Sequence, residues 1–400
     1  MYITASKNKT IAIETILSEV ERLKSTTISW RRYFHEHPEP GLKEFETSKK
    51  IKEILKDSHI HFEEAGETGI IAFIGSTDSD TQIALRADMD ALNLIEQNTI
   101  PYCSKNPGFM HACGHDGHIA ILLTTAVILK KYEACLNTGI TLIFQPSEEN
   151  CLGANIILDY LSEKNITINE IFGLHLFTDL PCGKISIEEG PRMACTDRFH
   201  IHLFGKGGHA GKPHQCIDAT IAGAALVMNL QSVIGREFDP NSSVVLTIGH
   251  FQSGTAYNII SGEASIEGTV RSFSLEDSKK IEAAMLRITK STSETYRCTY
   301  QFDYDGRLHP AVINNPAVTQ KALYGAKKIF PEDTFIHVPK LLLGEDFSNY
   351  QKHIPGCFAF VGAGNPEINC TYPNHHPNFN LDENCLETGV KLMLSYALEH

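Results

Sequence analysis

The chain has 400 residues, of which 42% are hydrophobic and 21% charged, and its formal net charge is −13 with histidines neutral. That length exceeds one comfortable hydrophobic core and predicts two domains. The acidic balance excludes nucleic acid and anionic membrane as main partners, because both need a basic footprint, and a small-molecule substrate fits better.

The opening stretch "MYITASKNKTIAIETILSEVERL" has no basic region followed by an uninterrupted apolar run. It reads as an amphipathic helix, so secretion is not indicated. Helical spacing continues over residues 10–57 and is broken by "HEHPEPGLKE", which carries Pro38, Pro40 and Gly41. "GIIAFIG" and "TQIALRADMDAL" then read as strands, "HIAILLTTAVILKKYEA" as a helix, and "TGITLIFQPSEEN" as a buried strand with a polar tip. Strands alternating with helices predict an α/β domain, a mixed and mostly parallel sheet covered by helices. No apolar run reaches about 18 residues, so no helical membrane span is expected. The eleven cysteines include no CxxC pair. Their odd number and scatter predict buried reduced thiols in a reducing cytoplasm.

Near residue 190 the pattern changes. "TDRFHIHLFGKGG" alternates with period two, "DATIAGAALVMNLQSVI" is helical, "SSVVLTIGHFQSG" and "GEASIEGTVRSFS" alternate again, and "LEDSKKIEAAMLRITKSTSETY" is a second helix. This order predicts a smaller α+β insert of ferredoxin-like type, with helices on one side of an antiparallel sheet. After about residue 305 the apolar α/β pattern returns through "CFAFVGAG" to a C-terminal helix. The predicted domains are therefore residues 1–190 with 305–400, interrupted by residues 191–304. No repeat, low-complexity tract or long linker separates them.

Four features could carry chemistry. In "MHACGHDGHIA", Cys113 and His115 stand where a turn enters a helix expected to begin near Ile119. A thiolate and an imidazole two residues apart suit a borderline-soft divalent ion such as zinc, although a polar turn opening a buried helix would use the same residues. In "FQPSEEN", Glu148 and Glu149 follow a buried strand. A chain leaving the sheet can turn both carboxylates into one cleft, one to hold a cation and one to act as base, while a solvated strand end is the plainer reading. His175 lies within an apolar stretch, where a lone histidine is more often a core residue. His375 and His376 precede Pro377 far along the chain. Sites in α/β sheets gather side chains from the carboxyl ends of several strands, so the four features are harder to dismiss together than singly.

The strings "RADMDAL" (86–92), "HACGHDGH" (111–118), "FQPSEE" (144–149), "GLH" (173–175), "GKGGHAGKPH" (205–214) and "HHPNF" (375–379) occur in this order. In that order they closely resemble the amidohydrolase branch of the aminoacylase and carboxypeptidase metallopeptidases. That branch includes indole-acetyl-amino-acid hydrolases, hippurate hydrolases and N-acetyldiaminopimelate deacetylases. The resemblance covers nearly the whole chain.

It implies a site of two divalent metal ions, manganese or zinc, with Cys113, His115, Glu149, His175 and His375 as ligands and Glu148 as catalytic base. His375 is preferred to His376 because the family's ligand stands two residues before the proline. Asp88 would orient a ligand from behind. The insert resembles the family's dimerisation lid and implies a homodimer. In it His209 would stabilise an oxyanion, and Asn258 and Arg271 would contact the substrate's carboxyl end, a task suited to arginine's planar fork. The implied activity is hydrolysis of the amide bond of N-acyl amino acids of N-acetyl, benzoyl or indole-acetyl type. Asn93, Ser147 and Ser261 depart from the family's usual proline, alanine and proline, and "ENCLGA" after the glutamates is less glycine-rich than usual. None of these removes a proposed ligand. Two rivals are a thiol hydrolase using Cys113 as nucleophile and a non-catalytic binding protein with a structural metal.

Overall fold

A computed structural model describes residues 2–3, 11–76, 79 and 81–400. The chain divides into two compact units, the first comprising Met1–Arg192, Ile313–Pro339 and Asp346–His400, the second Met193–Val312 and Lys340–Glu345.

The first unit begins with a short ladder pairing Tyr2–Ile3 with Ile11–Ala12, so the first helix starts only at Ile13. The expected helix over the opening residues is corrected there, while its reading of residues 4–10 lies outside the described residues. In chain order follow α1 (Ile13–Glu36), α2 (Phe45–Asp57), β1 (His61–Ala65), β2 (Gly69–Ile74), β3 (Gln82–Asp88), α3 (His115–Lys131), β4 (Gly139–Gln145), α4 (Gly153–Glu163), β5 (Glu170–Pro181) and β6 (Ile185–Ser186). The second unit supplies β7 (Cys195–Phe204), α5 (Ala219–Glu237), β8 (Val245–Ser253), β9 (Glu263–Ser272), α6 (Leu275–Thr295) and β10 (Thr299–His309). The chain then returns through α7 (Pro316–Lys327), β11 (Gly356–Gly364) and α8 (Asn384–Ala397).

Seven strands of the first unit form one mixed sheet in the order β1-β2-β4-β3-β5-β11-β6. The ladders joining β4, β3, β5 and β11 are parallel, and those at the two margins are antiparallel. The expectation of a mostly parallel sheet therefore holds for its four central strands. β4 is buried along its whole length, as a strand covered on both faces must be. Helix α3 is buried from His115 to Ala126, and α1 and α8 pack beside it. An apolar helix without a solvent face requires such a position.

The second unit is an antiparallel sheet in the order β8-β9-β7-β10. With α5 after β7 and α6 after β9, its path is strand, helix, two strands, helix, strand, the ferredoxin-like order. Phe199, Ile201 and Leu203 alternate inward from β7 to meet Leu226, Leu230, Ile281 and Met285 of the helices. Both helices are capped: Asp218 accepts from the N–H groups of Thr220 and Ile221, and Ser274 accepts from that of Asp277. β10 runs to His309, beyond the boundary near residue 305 expected from sequence.

Candidate metal centre

Two strand ends, a position inside β5 and two turns deliver the candidate residues of the first unit to one place. β3 ends at Asp88 and leads directly to Asp90. Gly114 has a φ of 93°, a left-handed conformation that suits glycine, and its carbonyl accepts from the N–H groups of Gly117 and His118. Helix α3 therefore starts at His115 rather than near Ile119, and His115 occupies its first position.

After β4 the chain takes a left-handed turn at Ser147, with a φ of 50°. Strained backbone of this kind persists only where its surroundings hold it. Here the Glu44 carboxylate accepts the Ser147 N–H at 2.8 Å, and the Asp90 carboxylate accepts those of Glu148 and Glu149 at 3.0 and 3.1 Å. Gly153 completes the turn, since a Cβ there would stand 1.5 Å from the Pro146 carbonyl oxygen. His175 lies within β5, and His375, itself at a φ of 68°, donates its N–H to the Ala112 carbonyl at 2.7 Å.

The result is a compact cluster. Cys113 Sγ lies 3.4 Å from His175 Nε2 and 3.3 Å from His375 Nε2. Glu149 Oε1 lies 3.5 Å from His375 Nε2 and 3.9 Å from His115 Nε2. His115 Nδ1 is 2.9 Å from the Asp90 carbonyl, and His175 Nδ1 is 2.9 Å from the Leu176 carbonyl. A carbonyl can only accept, so each Nδ1 carries a proton, which leaves each Nε2 facing the cluster. His376 turns elsewhere: its ring stacks on Tyr372 and its Nδ1 accepts from the Asn378 N–H.

The donors fit divalent cations. Cys113, His115 and His175 form one group whose ligand atoms lie within 4.8 Å of one another, and Cys113, Glu149 and His375 form another. His115 Nε2 and Glu149 Oε1 are buried with no hydrogen-bond partner, a costly state that a cation would relieve. Thiolate, imidazole and carboxylate together suit zinc and its neighbours. Burial pushes the Glu149 carboxyl up to about 7 against the pull of His115. Burial, joined by the Glu149 charge, raises the Cys113 thiol well above its usual range. His175 and His375 are held below the ordinary imidazole value, chiefly by burial. His115 is held above it, because Asp88 and Asp90 outweigh its burial.

Asp88 works from behind. Its carboxylate accepts from Arg86 Nη1 at 2.6 Å and lies 2.6 Å from His118 Nδ1, while His118 Nε2 accepts from the Leu176 N–H. One side chain thus ties β3 to α3 and, through His118, to β5. Glu148 is buried beside the cluster, and its Oε1 accepts from the Asp346 N–H at 3.4 Å. His209, Asn258 and Arg271 belong to the second unit. There Gly208–His209 pairs with Ile259–Ile260, Asn258 accepts from the Ala210 N–H, and Arg271 sits on β9 opposite Thr196 and Val245.

Sequence reasoning missed Asp90, although it stands in the quoted "RADMDAL", and missed Asp346. The latter binds Arg86, Gln145 and the Ala154 N–H from within "GEDFSNY". Neither is signalled locally, because both serve distant backbone and side-chain donors. Asp116 was visible in the histidine-rich run, but its partners Arg31 at 2.8 Å and His35 at 2.8 Å come from α1.

Fold and cluster together define a metallopeptidase-type hydrolase, and comparison with known proteins specifies it. Residues 84–399 match the model of Peptidase family M20/M25/M40, and the chain belongs to that family. It is 38% identical over 373 residues to a Bacillus subtilis protein named N-acetylcysteine deacetylase, covering 93% of this chain and 96% of that one. It is 34% identical to an Arabidopsis thaliana IAA-amino acid hydrolase, covering 92% of this chain and 84% of the relative. A Bacillus subtilis crystal structure described as a dinuclear metal binding peptidase superposes with a TM-score of 0.82 at 34% identity, covering 94% of this chain and 98% of that one.

Proposed function

We propose that the chain is a metal-dependent amidohydrolase that cleaves the amide bond of N-acyl amino acids to a carboxylic acid and a free amino acid. The observation that carries this reading is the convergence of Cys113, His115, Glu149, His175 and His375 around buried, unpartnered donor atoms with a further carboxylate, Glu148, beside them. The relatives named above for deacetylation and amino-acid conjugate hydrolysis support the substrate class.

Those five residues would hold two divalent ions, manganese or zinc. Bound there, such ions supply Lewis acidity toward a carbonyl oxygen and lower the pKa of water. Glu148 takes the proton of the attacking water and passes it to the leaving amine. Asp90 fixes the backbone of Glu148 and Glu149, so the base and a ligand keep one spacing. Asp88 orients His118, and with it the strand carrying His175.

In the second unit, His209 donates to the developing oxyanion, and Asn258 and Arg271 receive the amino acid's carboxylate. We assign this unit the role of lid and dimerisation surface, giving a homodimer. The eleven free cysteines suit a reducing cytoplasm, and no described helix is long and apolar enough to cross a membrane. A Cys113 nucleophile would leave Glu149, His115 and His375 without work, and a purely structural metal would leave Glu148 without any.

The test is to strip the protein with a chelator, restore manganese or zinc separately, and follow amine release from N-acetyl, benzoyl and indole-acetyl amino acids. Activity should vanish and return with the ion, and the preferred substrate names the acyl group. Activity indifferent to the chelator would overturn the proposal in favour of the thiol. Metal binding without turnover on any of the three classes would favour the non-catalytic reading.

A further inference from the structure

The open face of the second unit's sheet carries an ordered row of side chains that the amidohydrolase site does not use. The register sets His250 of β8 opposite Glu267 of β9, Glu267 opposite His200 of β7, and His200 opposite Asp303 of β10. Imidazole and carboxylate therefore alternate across all four strands. The next row holds His202, two residues along β7 and so on the same face as His200. The two rings lie 4.1 Å apart between centroids.

The spacing within the row is the telling quantity. Glu267 Oε1 lies 3.4 Å from His250 Nδ1 and 3.8 Å from His200 Nε2. Both distances exceed the roughly 3.2 Å limit of a strong hydrogen bond, so the carboxylate hangs between two imidazole nitrogens without engaging either closely. His200 Nε2 instead pairs with Ser265 Oγ at 2.9 Å, a neutral partner that a stronger one can displace. His200, His250 and Glu267 retain 37%, 54% and 52% of their side-chain exposure, which leaves them accessible and free to rotate by the small amounts needed to converge. They line a depression of about 710 Å³, and His202 and Ser265 line it too.

We propose that His200, His250 and Glu267 form a surface binding site for one divalent transition-metal ion of the zinc class, with His202 as the further imidazole donor. Imidazole with carboxylate is the ligand set that zinc, nickel and copper prefer over magnesium or calcium. The same set on a flat, antiparallel face is held by cross-strand register rather than by a loop. His200 and His250 stand two strand spacings apart, about 9–10 Å, with Glu267 on the strand between them, a span that two imidazoles can close when both turn toward one ion over that carboxylate. The proposed ligands share no residue with the Cys113 cluster.

The experiment uses the full-length enzyme with its Cys113 centre already loaded. Zinc is added in slight excess, unbound ion is removed by gel filtration, and retained zinc per chain is measured for the wild type, H200Q/H250Q and H202Q. The wild type should retain one equivalent more than H200Q/H250Q, and H202Q should weaken retention of that equivalent about tenfold. Zinc should also raise the melting temperature of the loaded wild type and leave that of H200Q/H250Q unmoved, while amidohydrolase activity is equal in all three. Equal zinc content in wild type and H200Q/H250Q, or a zinc-induced thermal shift that survives the double substitution, would overturn the proposal. The exposed sheet face tolerates glutamine, and circular dichroism of each variant checks that the fold is kept.

Discussion

At the scale of single residues, the arrangement turns on carboxylates with separate duties. Glu149 presents a buried, unpartnered oxygen, Asp90 spends its oxygens on two backbone N–H groups, and Glu148 stands beside them. Glu148→Gln preserves shape and removes the basic oxygen. It should retain the metal content of the wild type while kcat falls about 10²-fold or more, measured by steady-state kinetics alongside metal analysis. Near-normal turnover with metal in place would take the base role away from Glu148. Arg271→Gln should raise KM for N-acyl amino acids with a free carboxylate and leave carboxamide analogues almost unaffected. An equal loss on both would make Arg271 a structural residue. The donor types at 113, 115, 148, 149, 175 and 375 could be read in the sequence, but singly each also fitted a plainer role, and it was the resemblance of six ordered motifs that grouped them. The part played by Asp90 could not be read there, because what it holds is the backbone of residues 58 and 59 positions away.

At the scale of elements, the strand that carries His175 is fastened at its start. Glu170 opens β5, and its carboxylate is gripped by Lys321 of α7 and lies 3.0 Å from His400 Nε2, while Tyr396 of α8 donates to it at 3.1 Å. Burial pushes this carboxyl upward, but the bonds from His400 and Lys321 prevail and hold it at about 2. A carboxyl held below its unfolded value of 4.5 stabilises the fold above that pH and loses the contribution as the pH falls toward 2. Glu170→Gln should therefore cost about 1–2 kcal/mol at neutral pH, discounted for partial solvent screening. The gap from wild type should close between about pH 5 and pH 2, as read from urea midpoints across that range. A gap that stays constant with pH would assign the loss to packing. Most elements were legible from apolar periodicity, including three strands of the insert's sheet and its two helices, but its fourth strand, β10, was missed. Nor was the start of α3 legible, because a run of glycine, histidine and aspartate reads as a turn until Gly114 is seen closing the first helical turn.

At the scale of the whole molecule, the interruption of one α/β unit by an α+β unit was visible as a change of periodicity near residue 190. The boundaries were less so: the second unit also takes Lys340–Glu345 from the returning chain, a six-residue excursion too short to show any period. A mostly parallel sheet was recognisable from strands alternating with helices, but the antiparallel margins could not be told apart, since β2 is as apolar as the central strands. Under the proposed function, ions bound to five side chains of the first unit would stabilise only the folded state. Stripping them should lower the melting temperature by about 5 °C or more, restored on adding back the ion and monitored by calorimetry. An unchanged melting temperature would mean that the cluster gains nothing from occupancy.

Cys113 and His375 touch across 262 positions of sequence, with the entire second unit threaded between them. Synthesis proceeds from the amino end, so the pocket lacks a wall until the segment carrying His375 has left the ribosome. A cation encountered earlier meets only a partial set of donors and is held weakly. The full donor set therefore waits for His375, whereas Cys113, His115 and His175 form a group without it. Ions held there would join the two arms of an interrupted unit that β11, paired with β5 and β6, and α8, packed on α3 and α1, already fasten.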